Sequence, residues 1–163
     1  ALMRMSFHRI AYEALEVCNA LEMAAVDDAI ARTGLPQGAR ALDIGTGNAA
    51  VAIRLAGRFG LTVTAVEADA GMAALARHRI AAAGASVRLD EARSGVVLAA
   101  EPPFDLIVAI GSTDAAGTGE RAPESVFRSL RDHLPDGGWL LWGDLFWIGD
   151  PPEPLRQLVE ITN

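Results

Sequence analysis

Two carboxylates flank a pair of glycines in the first half of the chain, and this pattern is typical of a nucleoside site. Asp43 precedes Gly45 and Gly47, and Glu67 follows about 20 residues after Gly47. Glycines at these positions allow a tight turn and a close approach of the backbone to a ligand. The free N–H groups of a following helix face the same place. A carboxylate at position 67 can accept hydrogen bonds from both ribose hydroxyls, so the pattern predicts a ligand that contains adenosine.

The charge of Asp43 bears on which ligand this is. A turn that binds a nicotinamide dinucleotide usually has three glycines after an apolar strand, and Gly45-x-Gly47-x-x-Ala50 meets that pattern loosely. A carboxylate at the mouth of the site disfavours a pyrophosphate, whereas it can interact with an ammonium group. S-adenosylmethionine has an ammonium, a sulfonium and no phosphate. The residues therefore favour S-adenosylmethionine, with an NAD(P)-dependent reductase as the alternative.

Composition and charge exclude several classes of protein. The chain has 163 residues, of which 51% are hydrophobic and 21% charged, so it can form the core of one domain. It contains no run of apolar residues long enough to span a membrane, and no signal peptide is recognisable. Its net charge is −7, which disfavours a nucleic-acid surface, and Cys18 is its single cysteine. We expect a cytoplasmic protein with a small-molecule substrate and no bound metal, and a homodimer is one option for its oligomeric state.

Predicted strands and helices alternate along the chain. The predicted strands are 39–44, 61–66, 85–89, 104–110 and 139–147. The predicted helices are 11–33, 49–58, 70–83, 122–134 and, after two prolines, 154–162, whereas 90–100 is left unassigned. This alternation predicts an α/β fold with a doubly wound, mostly parallel sheet, in which ligands bind at the carboxyl ends of the strands. We divide the chain into an N-terminal helical segment or lid (1–35) and a cofactor-binding core (36–163).

Four segments, in the expected order, resemble the motifs of class I S-adenosylmethionine-dependent methyltransferases. Residues 42–48 are similar to the first motif of that family, with Asn48 where many members have a third glycine. Residues 64–72, 104–108 and 134–140 are similar to the second motif, the fourth motif and the turn into the fifth strand. The resemblance covers about residues 36–147. It implies a Rossmann-like fold and methyl transfer from S-adenosylmethionine.

The resemblance also implies which residues bind the cofactor. Glu67 is expected on the ribose and Ala68 against the adenine. The adenine amino group usually meets an acid after the third strand, but Ala92 or Arg93 aligns there, so Glu91 and the backbone of Ala92 are the expected contacts. The full expected set is Asp43, Gly45, Thr46, Gly47, Asn48, Glu67, Ala68, Glu91, Ala92, Ile110 and Gly111.

A narrower resemblance is to small bacterial methyltransferases of undefined substrate. Ser6-Phe7-His8 and Gly111-Ser112-Thr113 match segments of these proteins, with Asp114 where they have a histidine. The antiparallel strands six and seven that normally complete the fold are not found after Trp147. The substituted position and the missing strands leave a non-catalytic cofactor-binding protein as a further alternative.

Two carboxylates are candidates for work on the substrate. Asp114 follows the fourth strand and could act as a base or bind a cationic group, although a loop carboxylate can equally cap the local backbone. Asp144 lies near the end of the fifth strand, where a turn residue is the alternative interpretation. His8 could belong to a lid and Trp147 could line an acceptor pocket, although a surface histidine and a core or rim tryptophan are the plainer interpretations.

Overall fold

The computed structural model describes residues 10, 12–19, 21–112, 114–119, 122–144, 149–150 and 152–154. The predicted features at His8, Thr113 and Trp147, and most of the possible helix 154–162, lie outside these residues. Five strands are described: β1 (Arg40–Ile44), β2 (Thr62–Val66), β3 (Val87–Asp90), β4 (Leu106–Ile110) and β5 (Trp139–Gly143). The helices are α1 (Met23–Thr33), α2 (Ala50–Phe59), α3 (Ala70–Ala83), α4 (Ser94–Ala100) and α5 (Pro123–Arg131).

All five strands are parallel and form one sheet in the order β3-β2-β1-β4-β5. The chain builds outward from β1 to β3 and then returns to the other side of β1 with β4. Ile44 at the end of β1 pairs with Val66 of β2 on one side and with Ala109 of β4 on the other. The predicted doubly wound, parallel α/β fold is therefore confirmed, and the strand order reverses between β1 and β4.

The central strands are buried on both faces, which explains their continuous apolar sequences. Successive side chains of a strand point to opposite faces, so neighbouring residues enter different layers of the core. Leu106 and Val108 of β4 pack with Leu55 of α2 in one layer. Ile107 packs with Phe104 in the layer on the opposite face. The two layers hold the carboxyl ends of the strands in fixed positions.

The ends of α3 follow the predicted punctuation. Asp69 accepts a hydrogen bond from the backbone N–H of Met72 at 2.8 Å, which satisfies one of the free donors of the first turn. Gly84 ends the helix in the left-handed conformation, with φ of 59°. The helix therefore spans the predicted residues. Local sequence is sufficient here because both ends are stabilised by residues next to the helix.

The predicted helix 11–33 was wrong in its first half. Residues 13–19 form turns and bends, and the helix α1 begins only at Met23. The carbonyl oxygens of Leu15 and Glu16 accept hydrogen bonds from the side chain of Asn48, at 2.8 and 3.2 Å. Among the described residues, no backbone N–H donates to these carbonyls in the i to i+4 pattern of a helix. The apolar residues of this segment have helical spacing, but a distant side chain decides their backbone.

The helix α1 itself packs on α2 through apolar and charged contacts. Val26 and Ile30 enter the core. The buried carboxylate of Asp27 receives the guanidinium of Arg58 at 2.9 Å and lies 3.4 Å from that of Arg54. Within the described residues, no helix has the length and apolar character that crossing a membrane requires.

The core position of Leu55 gives a direct test of this packing. Leu55 has no exposed surface, so Leu55→Ala leaves a cavity and should lower the free energy of unfolding by about 2–5 kcal/mol. Val96→Ala removes an aliphatic side chain from an exposed helical position and should change it by less than about 0.5 kcal/mol. Urea unfolding followed by circular dichroism measures both. Similar losses from the two variants would contradict the assigned core.

Candidate active site

A cavity of about 470 Å³ lies at the carboxyl ends of β1, β2 and β4, where the strand order reverses. The structure brings eight of the sequence-predicted residues to its walls: Gly45, Gly47, Glu67, Ala68, Ala92, Ile110, Gly111 and Asp114. These residues come from four separate turns of the chain. The topology of the sheet, rather than local sequence, is what gathers them.

Two glycines of the cavity wall are required by geometry. Gly47 and Gly111 have φ of 57° and 70°, in the left-handed region that disfavours other residues. A Cβ atom at Gly47 would lie 3.1 Å from the sulfur of Cys18, and one at Gly111 would lie 2.5 Å from the side-chain nitrogen of Asn19. The turns after β1 and β4 are therefore in close contact with residues 18 and 19 of the N-terminal segment.

The turn after β1 contains two more left-handed residues besides Gly47: Gly45 with φ of 65° and Ala49 with φ of 62°. The family resemblance puts the third glycine position at Asn48, one residue before Ala49. An L-residue in this conformation costs roughly 1 kcal/mol. Ala49 is fully buried at the start of α2, so the surrounding structure holds it there. Asn48 has a different role: its side-chain oxygen accepts the backbone N–H of Ala50 at 3.1 Å.

Glu67 is held in place by two backbone donors. One carboxylate oxygen accepts the N–H of Gly47 at 2.9 Å, and the other accepts the N–H of Asp69 at 2.9 Å. The side chain lines the cavity. An ionised carboxylate has about four acceptor positions, so each oxygen can accept a further hydrogen bond. The carboxylate is thus oriented by the protein and has capacity left for two hydroxyl donors.

Asp43 does not line this cavity. It faces a smaller space of about 20 Å³, together with Thr46, Asn48 and residues 17–19. Its carboxyl group is buried and accepts the hydroxyl of Thr46 at 2.6 Å and the backbone N–H of Ala52. Burial, with a smaller contribution from the charge of Glu67, raises the pKa of Asp43 to about 7 against the lowering effect of these two bonds. The structure therefore places Asp43 as a link between β1 and the first turn of α2.

Thr46 and Asn48 share this position behind the cavity wall. Both are buried and line the smaller space rather than the larger cavity. Of the other expected cofactor contacts, Glu91 points outward and pairs with Arg77 at 3.1 Å. Ala92 lies on the cavity wall because its N–H continues the β2–β3 pairing to the carbonyl of Glu67 at 3.1 Å.

The two catalytic candidates lie in different places. Asp114 lines the cavity, and one of its carboxylate oxygens accepts the N–H of Gly119 at 2.9 Å. Its backbone carbonyl accepts the N–H of Gly117 at 3.0 Å. Asp114 therefore does what the plainer interpretation expected of a loop carboxylate, at the edge of the cavity. Asp144 is exposed after β5 and is not part of the cavity wall.

Several residues of the cavity wall were not anticipated: Tyr12, Cys18, Met72, Arg93, Ser94 and Ser112. Ser112 is the second residue after β4, and a Cβ atom at Gly45 would lie 3.1 Å from its hydroxyl oxygen. Its place after a central strand was a usable signal. Tyr12 and Cys18 had none, because they belong to the segment predicted as a helix. Among the described residues, no group of His, Cys, Asp and Glu is arranged to hold a metal ion.

The fold and the cavity define a Rossmann-like α/β domain with a cavity at its topological switch point, where ligands bind in such folds. The sequence of residues 41–138 matches the model of a family described as a methyltransferase domain. This match covers more than half of the chain, and the chain belongs to that family. No curated protein matches the sequence.

Solved structures of the same fold confirm the architecture. A SAM-dependent methyltransferase from Geobacter sulfurreducens, in complex with S-adenosyl-L-homocysteine, is 19% identical with a TM-score of 0.75; 96% of this chain and 61% of that chain are covered. A SAM-dependent methyltransferase from Thiobacillus denitrificans, also in complex with S-adenosyl-L-homocysteine, is 20% identical with a TM-score of 0.76, covering 98% and 62%. A precorrin-6y C5,15-methyltransferase from Geobacter metallireducens is 20% identical with a TM-score of 0.64, covering 85% and 69%. This chain spans about three fifths of the length of the first two proteins.

The pKa of Asp43 predicts an unusual pH dependence. A folded-state pKa of about 7 lies above the ordinary value of 3.8, so the folded protein keeps this proton where the unfolded chain has lost it. The contribution of Asp43 to stability is therefore present at low pH and is lost as the pH rises from about 4 to 7, by on the order of 1 kcal/mol per pH unit.

The test compares the free energy of unfolding of the wild type and Asp43→Asn at several pH values. The difference, wild type minus variant, should fall across this range. Asp28→Asn, at an exposed position of α1, controls for the loss of one formal charge. A difference that does not change with pH would mean that Asp43 is already ionised in the folded protein at pH 4.

Proposed function

We propose that this domain binds S-adenosylmethionine in the 470 Å³ cavity and transfers its methyl group to a small-molecule acceptor. The observation that carries the proposal is the Glu67 carboxylate, which Gly47 and Asp69 orient at the wall of a cavity at the switch point. Membership in the methyltransferase domain family supports it, as do two structural relatives in complex with S-adenosyl-L-homocysteine. The cavity volume lies within the usual range for small ligands, about 300–1,000 Å³.

The residues of the wall fit the parts of this cofactor. Glu67 accepts the two ribose hydroxyls with its remaining lone pairs. Ala68 and Ala92 border the adenine and leave room for a planar ring because their side chains are small. The left-handed turns at Gly47 and Gly111 bring the backbone close to the amino-acid end. When bound, the cofactor supplies a methyl group activated by a positively charged sulfur.

The position of the Gly47 N–H argues against a nicotinamide dinucleotide. A pyrophosphate would need free backbone donors at this glycine turn. The Gly47 N–H instead donates to the Glu67 carboxylate, so it is not available to a pyrophosphate. Asp69 and Asp114 add further negative charge to the wall, with Arg93 as the cationic residue of the set. These charges favour a cationic ligand.

Methyl transfer requires mainly that the nucleophile be aligned with the reactive methyl group, and a base is needed only for a protonated nucleophile. Asp114 is the candidate base that lies at the cavity. One of its carboxylate oxygens accepts the Gly119 N–H, and the other oxygen does not take part in that bond. Asp144 stays a prediction, and its position away from the wall does not support it. The small size of the acceptor rests on the cavity volume and on the net charge of −7. A cytoplasmic location and a homodimer likewise stay predictions.

A second candidate function is binding of the cofactor without methyl transfer. The bond between Asp114 and Gly119 favours it, because the carboxylate then serves the loop rather than a substrate. This candidate predicts binding but no product with any acceptor.

Calorimetry with S-adenosylhomocysteine tests the binding site. Glu67→Gln replaces one acceptor oxygen by a donor and should weaken binding at least about tenfold, because hydrogen bonds to a charged group are lost. Glu91→Gln changes a carboxylate that faces away from the cavity, and its affinity should stay within about twofold of the wild type. Absence of wild-type binding at about 1 mM ligand would refute the proposal.

Transfer of a labelled methyl group to a panel of amines, phenols and carboxylic acids tests the activity. Asp114→Asn retains the oxygen that accepts the Gly119 N–H but removes the charge and the base. Its turnover should fall by about 100-fold for a protonated nucleophile, with unchanged affinity for S-adenosylhomocysteine. Glu124→Gln, in the first turn of α5, is the control. Binding without transfer to any member of the panel would favour the non-catalytic alternative.

A further inference from the structure

Residues 12–19, which we call the strap, cross the carboxyl ends of the central strands. Tyr12 and Cys18 line the large cavity. Val17, Cys18 and Asn19 line the smaller space that contains Asp43. Cys18 therefore belongs to both walls, and the strap separates the small space beside Asp43 from the large cavity.

Side chains of the core hold the strap in place. The side-chain nitrogen of Asn48 donates to the carbonyls of Leu15 and Glu16, at 2.8 and 3.2 Å. The backbone N–H of Asn48 bonds to the sulfur of Cys18. From α3, the guanidinium of Arg79 donates to the carbonyl of Leu15 at 3.3 Å and to that of Glu13. Asn48 and Arg79 form all of these bonds, and we call this pair of residues the latch.

The strap has little backbone pairing of its own. Among the backbone–backbone hydrogen bonds of the described residues, it takes part in one, from the Leu15 N–H to the Tyr12 carbonyl at 3.2 Å, which is internal. Half of its residues are exposed, and Val17 is the one that enters the core. A segment whose backbone is not part of the sheet, and whose carbonyls accept hydrogen bonds from two side chains of the core, can open without unfolding the sheet.

We propose that the strap is a gate over the cavity, that Asn48 and Arg79 hold it closed, and that this latch sets the rate of ligand release. The proposal rests on the proposed function of the cavity. The tight contacts of the strap with Gly47 and Gly111 support it, because a ligand beside these glycines lies under the closed strap. Asn48 and Arg79 are positioning residues, since they act through the strap.

Cys18 reports on opening because it is the single cysteine of the chain. Disulfide reagents react with the thiolate, so their rate follows the pKa and the accessibility of the sulfur. Burial raises the pKa of Cys18. Opening of the strap removes that burial and increases both the thiolate fraction and the access of the reagent.

The test uses Arg79→Gln and Asn48→Asp, the second of which retains an acceptor for the Ala50 N–H. Each should increase the labelling rate of Cys18 about tenfold, as expected for the loss of hydrogen bonds from a charged or buried donor. Each should increase the release rate of S-adenosylhomocysteine, measured by stopped flow, by a similar factor. Arg79→Lys retains a cationic donor and should give intermediate rates.

Electrostatics alone would produce the opposite result. The charge of Arg79 lowers the pKa of Cys18, and a new carboxylate at position 48 would raise it. If the strap stayed closed, Cys18 would therefore react more slowly in both variants than in the wild type. Arg77→Gln is the matched control, because Arg77 lies on the same helix and pairs with Glu91 instead of the strap. An unfolding midpoint within about 3 °C of the wild type distinguishes opening of the strap from global unfolding.

Unchanged labelling and release in Arg79→Gln and Asn48→Asp would overturn the proposal. If Asn48→Asp does not fold, Arg79→Gln and Arg79→Lys decide it. Faster labelling together with no binding of S-adenosylhomocysteine by the wild type would support the latch and refute the proposed function. Faster labelling with an unchanged release rate would overturn the role of the strap as a gate.

Discussion

The hydrogen bond from the Gly47 N–H to the Glu67 carboxylate joins the ends of two adjacent strands, and the site depends on it. It requires β1 and β2 in their observed register, because only then does the residue after β2 reach the turn after β1. It also requires the left-handed backbone of Gly47, which turns the N–H toward the neighbouring strand. The same bond orients the carboxylate toward the cavity. One side chain thus makes a structural contact and also lines the cavity.

A second constraint is the buried carboxyl group of Asp43, whose desolvation raises its pKa. Burial of a carboxyl group is tolerated when hydrogen bonds satisfy it, and Thr46 and the Ala52 N–H do so here. These bonds fix the start of α2 relative to β1. They offset part of the cost of the left-handed conformation of Ala49, which is the N-cap residue of α2 and forms no side-chain capping bond. The glycine turn is therefore rigid because polar groups on both sides hold it, and a rigid turn keeps the cavity wall in position for a ligand.

The third feature is the dependence of the cavity on residues far apart in the sequence. Asn48 bonds to carbonyls more than 30 positions away, and Arg79 to carbonyls more than 60 positions away. Both bonds reach the same segment, so the N-terminal part of the chain covers a site that the core builds. A covering segment reduces the contact of the cavity with water, and the attraction between an acidic wall and a cationic group is stronger where less water surrounds them. In this way the fold links access to the cavity with its electrostatics.

The sequence by itself determined the alternation of strands and helices, the limits of α3 and the positions of Gly47 and Glu67, because local capping and apolar periodicity decide these features. It did not determine the backbone of residues 13–19, the left-handed conformation of Ala49 or the enclosure of Asp43. Only the tertiary structure decided these, since each depends on groups distant in sequence. The Asn48 amide bonds to carbonyls of the N-terminal segment, the surrounding packing holds Ala49, and the strap covers Asp43. Long-range hydrogen bonds and burial outweigh local propensity wherever the chain crosses the site.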